Sequence, residues 1–284
     1  MTNDLKDFIY EKDDSAFYDY SDVINNNNDK LLDLSASAFN SLPLTIQQAL
    51  LQQQRLVLIA NNPSITVESL ESTLRSSDIV VLFNDFIHAD FFATHSLAKT
   101  LPKLLFFRQI GDSKLHFGLP PRSNKLLAIE QMCQHSSVGV LLSNIAYQFP
   151  TLADDPSPQD DPMTTERVLS IASSLRKVFE SADQCRVLSE QHSVVADYPS
   201  FATIHSSAPT SGFLIYRLLL AARRHIQHLK AETQPFDNIE SLEIMMLGFN
   251  DEDKTAHFWE GHNWAFERQE LAAPAAGVEI IRQY

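Results

Sequence analysis

The sequence predicts an α/β fold in which helices flank a doubly wound, mostly parallel sheet. Short apolar runs that suit buried strands, such as residues 55–60 and 78–83, alternate with segments of helical spacing. Polar residues follow these runs, at the strand ends where parallel sheets collect ligands. The 284 residues, 44% of them apolar, can bury one large core. We therefore expect a single domain over residues 31–284, preceded by an acidic arm at residues 1–30.

The elements follow in chain order from the periodicity. We expect helices at residues 44–54, 66–76, 126–134, 165–189 and 212–230, and strands at residues 55–60, 78–83, 103–107, 138–142 and 242–249. Residues 150–163 contain four prolines and four aspartates, a composition that cannot hold a regular helix or a central strand. We predict a flexible loop there. The alternation of strand, helix and strand is Rossmann-like.

Composition excludes several classes of function. The chain has 22 basic and 36 acidic residues, a formal charge of -14, which repels nucleic acid. Cys133 and Cys185 are too few for a disulfide framework or a CxxC metal site, and they favour a reducing cytoplasm. The first residues lack a signal-peptide pattern, and no segment reaches the roughly 18 apolar residues of a membrane span. We expect no transmembrane segment, so that any membrane contact is peripheral.

Two strand ends carry carboxamide side chains. Asn61 and Asn62 follow the first strand, and Asn84 follows the second. Their donors and acceptors suit a nucleotide at the mouth of a parallel sheet. The sequence ANNPS lacks the glycines of a dinucleotide fingerprint or a phosphate-binding Walker loop, so NAD and ATP are not favoured. An Asn-Pro turn without a ligand is the alternative interpretation.

Two further groups of residues suggest chemistry. Thr210, Ser211 and Gly212 precede a predicted helix, where hydroxyls and N–H groups can bind phosphate, although an ordinary N-cap would look the same. Near the end of the chain, His262 and Glu267 lie within a cluster that also holds both tryptophans. A histidine beside a carboxylate can act as a general base, and packing of an aromatic cluster is the alternative.

Taken in order, these segments resemble the sialylmotifs of animal sialyltransferases and, in part, those of bacterial ones. LIANNPSI through IVVLFND resembles the large motif, and its Asn-X-Pro-Ser form is the more bacterial version. PTSGFLIYRLLLAA, closing at LEIMMLGFN, resembles the small motif, with Thr210 and Ser211 in swapped order. HFWE at residues 257–260 resembles the third motif, and His262 with Glu267 matches the His-x4-Glu spacing of the very small motif.

The resemblance implies the GT-A-like sialyltransferase variant of the fold and an inverting transfer of sialic acid, or a related 2-keto sugar acid, from a CMP-sugar to a glycan hydroxyl. It implies neither a metal nor a cofactor. The donor nucleotide would be held by Asn61, Asn62, Ser64, Asn84, Thr210, Ser211 and Gly212. His257 would stabilise the departing phosphate, His262 would remove the acceptor proton, and Glu267 would complete the catalytic set.

Other interpretations remain open. The chain lacks the membrane anchor of the animal enzymes, and its cysteines do not occupy their disulfide positions. CMP-Kdo is an alternative donor, and a nucleotide-binding protein without turnover is the nonenzymatic alternative. A metal site is a further alternative, which we do not favour. It would have to use aspartates 154, 155, 160 and 161, or His225 with His228. We expect a glycan or lipid-linked glycan of a bacterial surface, such as lipopolysaccharide or capsule, as acceptor, reached from the cytoplasmic side of the membrane.

Overall fold

The computed structural model describes residues 33–52, 55–108, 123–143, 184–188, 193–199, 209–233, 242–250 and 262–284. The predicted arm at residues 1–30 and the predicted loop at residues 150–163 lie outside these ranges. Within them the chain forms an α/β fold around one sheet. No helix among the described residues has the length and apolar character needed to cross a membrane.

Seven strands form the sheet, and every neighbouring pair is parallel. They are β1 (Arg55–Ile59), β2 (Asp78–Phe83), β3 (Lys103–Arg108), β4 (Val138–Ser143), β5 (Gln184–Leu188), β6 (Glu243–Leu247) and β7 (Val278–Ile281). Their spatial order is β5-β4-β3-β2-β1-β6-β7. The order reverses direction between β1 and β6, which is the topological switch point where doubly wound sheets bind ligands.

Helices cover both faces of the sheet. They are α1 (residues 33–40), α2 (Leu44–Gln52), α3 (Val67–Thr73), α4 (Ala89–Thr94), α5 (Ser123–His135), α6 (Ser211–Thr233) and α7 (Trp264–Ala272), with single 3₁₀ turns at Ala98–Thr100 and Ser193–Val195. Helices α3, α4 and α5 pack on one face, and α1, α2, α6 and α7 on the other. This arrangement confirms the predicted doubly wound α/β fold.

Strands β1 and β2 are buried along their whole length, as apolar runs between two helical layers should be. Successive residues face opposite sides, so that Val57 and Ile59 join the core under α3–α5, whereas Leu56 and Leu58 join the core under α2 and α6. Residues 56–59 of β1 are all apolar because each face of the strand packs into a different core.

The amino ends of the strands hold buried charges. The Arg55 side chain donates to both carboxylate oxygens of Asp78, at 2.8 and 2.7 Å, and to the Thr73 carbonyl at 2.7 Å. The hydrogen bonds that Arg55 donates to Asp78 raise the pKa of Arg55 above its ordinary value. Lys103, at the start of β3, is also fully buried. These residues mark the amino edge of the sheet, opposite the ligand-binding edge of such folds.

One prediction is wrong at its end. The helix expected at residues 165–189 included Gln184–Leu188, which forms strand β5 beside β4, and residues 165–183 lie outside the described ranges. Pairing with an existing parallel strand satisfies the backbone there, and it overrides the local apolar spacing. Helices α1, α4 and α7 and strand β7 are present but were not predicted. The other predicted helices and strands are present, with ends shifted by a few residues.

Candidate functional site

The carboxyl ends of β1, β2 and β6 meet at one edge of the sheet, together with the first turn of α6. We call this the carboxyl edge, and we define it by residues 60–64, 84–88, 209–213 and 248–250. Its strands are neighbours in the order β2-β1-β6, so their following loops lie side by side. Residues that are far apart in the sequence are brought together here.

Asn61 ties the loop after β1 to the loop after β2. Its amide nitrogen donates to the Phe83 carbonyl at 2.8 Å, and its amide oxygen accepts from the N–H of Ile87 at 3.3 Å. Both bonds shape the turn that contains Asn84. Asn61 therefore organises the carboxyl edge through the backbone of the neighbouring loop.

Asn62 bridges the switch point between β1 and β6. Its amide nitrogen donates to the carbonyls of Gly248, at 3.1 Å, and Gln283, at 2.8 Å, and its oxygen accepts from the N–H of Ser64 at 2.9 Å. Both amide hydrogens are engaged inside the protein. The part of this side chain that can still accept a hydrogen bond is the second lone pair of its oxygen.

Asn84 has the left-handed backbone conformation, with a φ of 48°, directly after β2. Asparagine tolerates this conformation better than most residues with a Cβ atom. Its amide nitrogen donates to the Ser211 hydroxyl at 3.1 Å. The contact joins the end of a strand to the first residue of α6, and it brings together two of the predicted nucleotide-binding residues.

The first turn of α6 presents donors to the same edge. The Thr210 hydroxyl accepts from the N–H of Phe213 at 3.1 Å and caps the helix. Within the described ranges, no hydrogen bond reaches the N–H groups of Ser211 and Gly212. These N–H groups lie at the positive end of the helix dipole, beside a serine hydroxyl, and they suit an anionic group such as phosphate.

Two glycines allow the loops to pack tightly. A Cβ atom at Gly212 would overlap the ring of Phe249, which follows β6 and packs edge-on against Phe83 with centroids 6.0 Å apart. Gly248 has a φ of 77°, and a Cβ atom there would lie 2.5 Å from Cδ1 of Ile65. The segments after β1, β2 and β6 and the start of α6 therefore form one packed unit.

Glu267 lies beneath the start of α6 and is only 4% exposed. Its Oε1 accepts from the Thr210 N–H at 2.7 Å and from the Tyr198 hydroxyl at 2.8 Å, and its Oε2 accepts from the Thr210 hydroxyl at 2.7 Å. A buried carboxylate needs such donors, and these bonds are charge-assisted. The sequence paired Glu267 with His262. In the structure the Glu267 carboxylate binds Thr210, the residue before Ser211.

His262 lies just before α7, whose N-cap is Asn263. Its ring stands edge-on to that of Trp264, with centroids 5.3 Å apart. The N–H of Asn263 donates to the Tyr198 hydroxyl at 2.8 Å, and Tyr198 in turn contacts Glu267. A short chain of hydrogen bonds thus connects the residue after His262 to the start of α6. His257 lies outside the described residues.

Sequence reasoning missed three residues that shape this edge. Tyr198 contacts partners 65 and 69 residues away. Asn250 forms a reciprocal pair with Gln283, and Phe249 fills the space left by Gly212. Phe249 was within reach, because it ends the strand predicted at residues 242–249 and follows a glycine. Tyr198 had no local signal, since its partners become neighbours only in the fold.

The remaining predicted ligands and histidines give a mixed result. Among the residues that the structure describes, no group of three or more His, Cys, Asp or Glu side chains could hold a metal. Aspartates 154, 155, 160 and 161 lie outside the described ranges. On α6, His228 is exposed, whereas His225 is half-buried and its ring centroid lies 5.2 Å from that of Phe39.

Compared with known protein families, with curated proteins and with solved structures, the chain shows no significant match to any of them.

Proposed function

We propose that the carboxyl edge binds a CMP-linked sugar acid and that the protein transfers this sugar to a glycan hydroxyl, as an inverting, metal-independent glycosyltransferase with a GT-A-like sialyltransferase variant of the fold. Sialic acid or a related 2-keto acid is the sugar. The acceptor is a surface glycan or its lipid-linked precursor, reached from the cytoplasmic side of a membrane.

The observation that supports this proposal best is the hydrogen bond between Asn84 and Ser211. These residues are 127 positions apart, and the bond is 3.1 Å long. Sequence reasoning assigned both to the donor nucleotide on separate motifs. Their contact lies at the carboxyl end of a parallel sheet, where doubly wound folds bind nucleotides.

The chemistry of the edge fits a donor with a single phosphate. In an inverting displacement, the leaving CMP phosphate gains negative charge as the bond to the sugar breaks. N–H groups and a hydroxyl at the start of α6 stabilise this charge more in the transition state than in the ground state. The Ser211 hydroxyl accepts from Asn84, so its own hydrogen can be donated to a phosphate oxygen.

His262 is the proposed base. It lies beside the N-cap of α7, and α7 also carries Glu267 against the start of α6. A neutral imidazole near physiological pH can remove the proton of the acceptor hydroxyl as the oxygen attacks the anomeric carbon. The donors at the start of α6 would then act on the leaving phosphate, and His262 on the attacking hydroxyl, at the two ends of one displacement.

The first prediction tests this function with His262→Ala. CMP release is measured for a panel of CMP-sugars that includes CMP-sialic acid and CMP-Kdo, with and without EDTA, and CMP binding is measured by calorimetry. We expect turnover that EDTA does not change, and a fall in kcat of about 100-fold or more in the variant, because a general base contributes about this much. CMP affinity should stay within a few-fold of wild type.

The matched control is His228→Ala, which removes an exposed histidine from the surface of α6. It should leave turnover unchanged. Equal turnover of His262→Ala and wild type would remove His262 from its role. CMP binding without turnover of any CMP-sugar would favour a nucleotide-binding protein, and turnover of CMP-Kdo alone would identify the alternative donor.

A further inference from the structure

Residues 193–199 form a short segment that lies against the first turns of both α6 and α7. It begins with the 3₁₀ turn Ser193–Val195, and Val194 is buried in the core beneath α6. The Tyr198 ring packs against Phe213 of α6 and Phe266 of α7, with centroids 5.9 and 5.4 Å away. The segment therefore touches the two helices that carry the proposed phosphate site and the proposed base.

The Tyr198 hydroxyl connects these helices directly. It donates to Oε1 of Glu267 at 2.8 Å and accepts from the N–H of Asn263, also at 2.8 Å. A hydroxyl has one hydrogen to donate, so these two bonds fix its orientation. The bond from the Asn263 N–H involves the residue next to His262. The bond to Glu267 involves the carboxylate that binds Thr210.

We propose that Tyr198 is a positioning residue whose hydroxyl holds His262 in register with the N-terminus of α6. The proposal rests on the proposed function, because that function makes His262 the base and Ser211 a phosphate ligand. Placement matters at this point, since an error of about 1 Å between reacting groups can reduce a rate about 100-fold. No other described side chain bonds to both Glu267 and the backbone of Asn263.

A second anchor keeps this segment in place independently of the hydroxyl. Arg217 on α6 donates to both carboxylate oxygens of Asp197, each at 2.7 Å, and to the Val194 carbonyl at 3.1 Å. It also donates to Glu270 of α7 at 2.8 Å. Removal of the Tyr198 hydroxyl therefore leaves the ring contacts and the Arg217 anchor, and the segment should remain docked.

The second prediction compares Tyr198→Phe with the matched control Asp197→Asn. Tyr198→Phe keeps the ring and removes the two hydrogen bonds. We expect kcat to fall 10- to 100-fold, while the KM for the CMP-sugar changes less than about three-fold, because the loss affects the geometry of reaction more than binding. Asp197 is 59% exposed, and Asp197→Asn keeps an acceptor oxygen for Arg217 as well as the Arg217 bond to the Val194 carbonyl, so the segment should stay docked and kcat should stay within about two-fold of wild type.

A spectroscopic readout separates this inference from the proposed function. NMR signals of the His262 side chain and the Asn263 amide are recorded in substrate-free protein. Tyr198→Phe should shift both, and Glu267→Gln, which perturbs the same chain from its other end, should also shift them, whereas Asp197→Asn should not. Signals of Tyr198→Phe that coincide with those of wild type would overturn the inference. If wild type turns over no CMP-sugar but these shifts occur, the proposed function fails, and what stands is the hydrogen-bonded link between Tyr198 and the residues at His262.

Discussion

At the scale of single residues, the surroundings of Gly212 explain why a glycine occupies this position of the motif. The proposed site would bring an anion close to the backbone of Gly212, and the structure shows a separate demand, contact with the ring of Phe249, where a Cβ atom would overlap. This second demand is structural and requires no ligand. The glycine is therefore needed for packing whether or not the site binds phosphate.

The third prediction is that Gly212→Ala destabilises the fold. Alanine favours a helix over glycine by about 0.5–1 kcal/mol, but overpacking costs about 1–3 kcal/mol, so the free energy of unfolding should fall. It is measured by urea denaturation. In a Phe249→Leu background, where the methyl group finds room, the same substitution should cost less. Equal losses in both backgrounds would show that the two side chains do not interact.

Asn61 and Asn62 likewise have structural roles that require no ligand. The sequence indicated that Asn61 and Asn62 are nucleotide ligands, because carboxamides at strand ends suit that role. In the structure their amide nitrogens bind the carbonyls of Phe83, Gly248 and Gln283. The positions were predicted from the residue types, but the partners could not be, since each belongs to a distant strand or to the end of the chain.

At the scale of elements, strands β1 and β2 start from a buried ion pair. Arg55 and Asp78 are adjacent in the parallel register, and the Asp78 carboxylate also accepts from the backbone N–H of Arg75 at 2.7 Å. The side chain of Asp78 has no exposed surface. The pair fixes the alignment of two central strands at their amino ends.

The fourth prediction is that Asp78→Asn lowers the free energy of unfolding by about 3–5 kcal/mol, because Arg55 is left buried without its counter-charge. Urea denaturation measures the loss. The matched control is Arg75→Ala, which removes an exposed side chain but keeps the backbone bond to Asp78, and it should change stability by no more than about 0.5 kcal/mol. Similar values for the two variants would rule out a stabilising role for the pair.

The central strands were predictable, and the peripheral elements were not. Residues 78–83 form a strand with the predicted bounds, because a run of apolar residues between turns leaves few alternatives. Strand β7 has only four residues at the edge of the sheet, a run too short to give a periodic signal, and its side chains are partly exposed. Residues 184–188 were assigned to a helix, because their pairing with β4 depends on a strand some forty residues earlier.

For the molecule as a whole, the two edges of the sheet carry different polar groups. Carboxamides, hydroxyls and the buried carboxylate of Glu267 lie at the carboxyl edge, whereas Arg55, Asp78 and Lys103 are buried at the amino edge. Lys103 is the extreme case: its ammonium donates to the Leu101 carbonyl at 2.7 Å, the Ser136 hydroxyl at 3.0 Å and the Lys99 carbonyl at 3.2 Å. Burial lowers its pKa to about 7.

The fifth prediction concerns the pH dependence of stability. Between pH 7 and 10.5 the unfolded chain keeps a proton on Lys103 that the folded chain releases, so the free energy of unfolding should rise with pH by up to about 1.4 kcal/mol per unit. Urea denaturation between pH 7 and 8.5 measures this slope. Lys103→Met should abolish this contribution, whereas Lys99→Met, at a partly exposed position, should retain it.

The measurement stops at pH 8.5 so that ionisation of the Cys185 thiol does not contribute to the slope. Burial raises the pKa of Cys185 to about 12 from its ordinary 9.0. Above pH 9 the unfolded chain would lose this proton while the folded chain keeps it, and stability would fall. An unchanged slope in Lys103→Met over the lower range would show that the Lys103 ammonium stays protonated in the fold.

The order of the strands has a consequence for how the chain is made. β1 is central and pairs on one side with β2, which follows soon after it, but on the other side with β6, which is synthesised much later. A ribosome-bound chain that has not reached residue 243 therefore carries β1 with one edge unpaired. An apolar strand in that state can pair with other chains. Strand β6 both pairs with this open edge of β1 and completes the switch point, so the nascent chain gains its protection and the geometry of the switch point in one step.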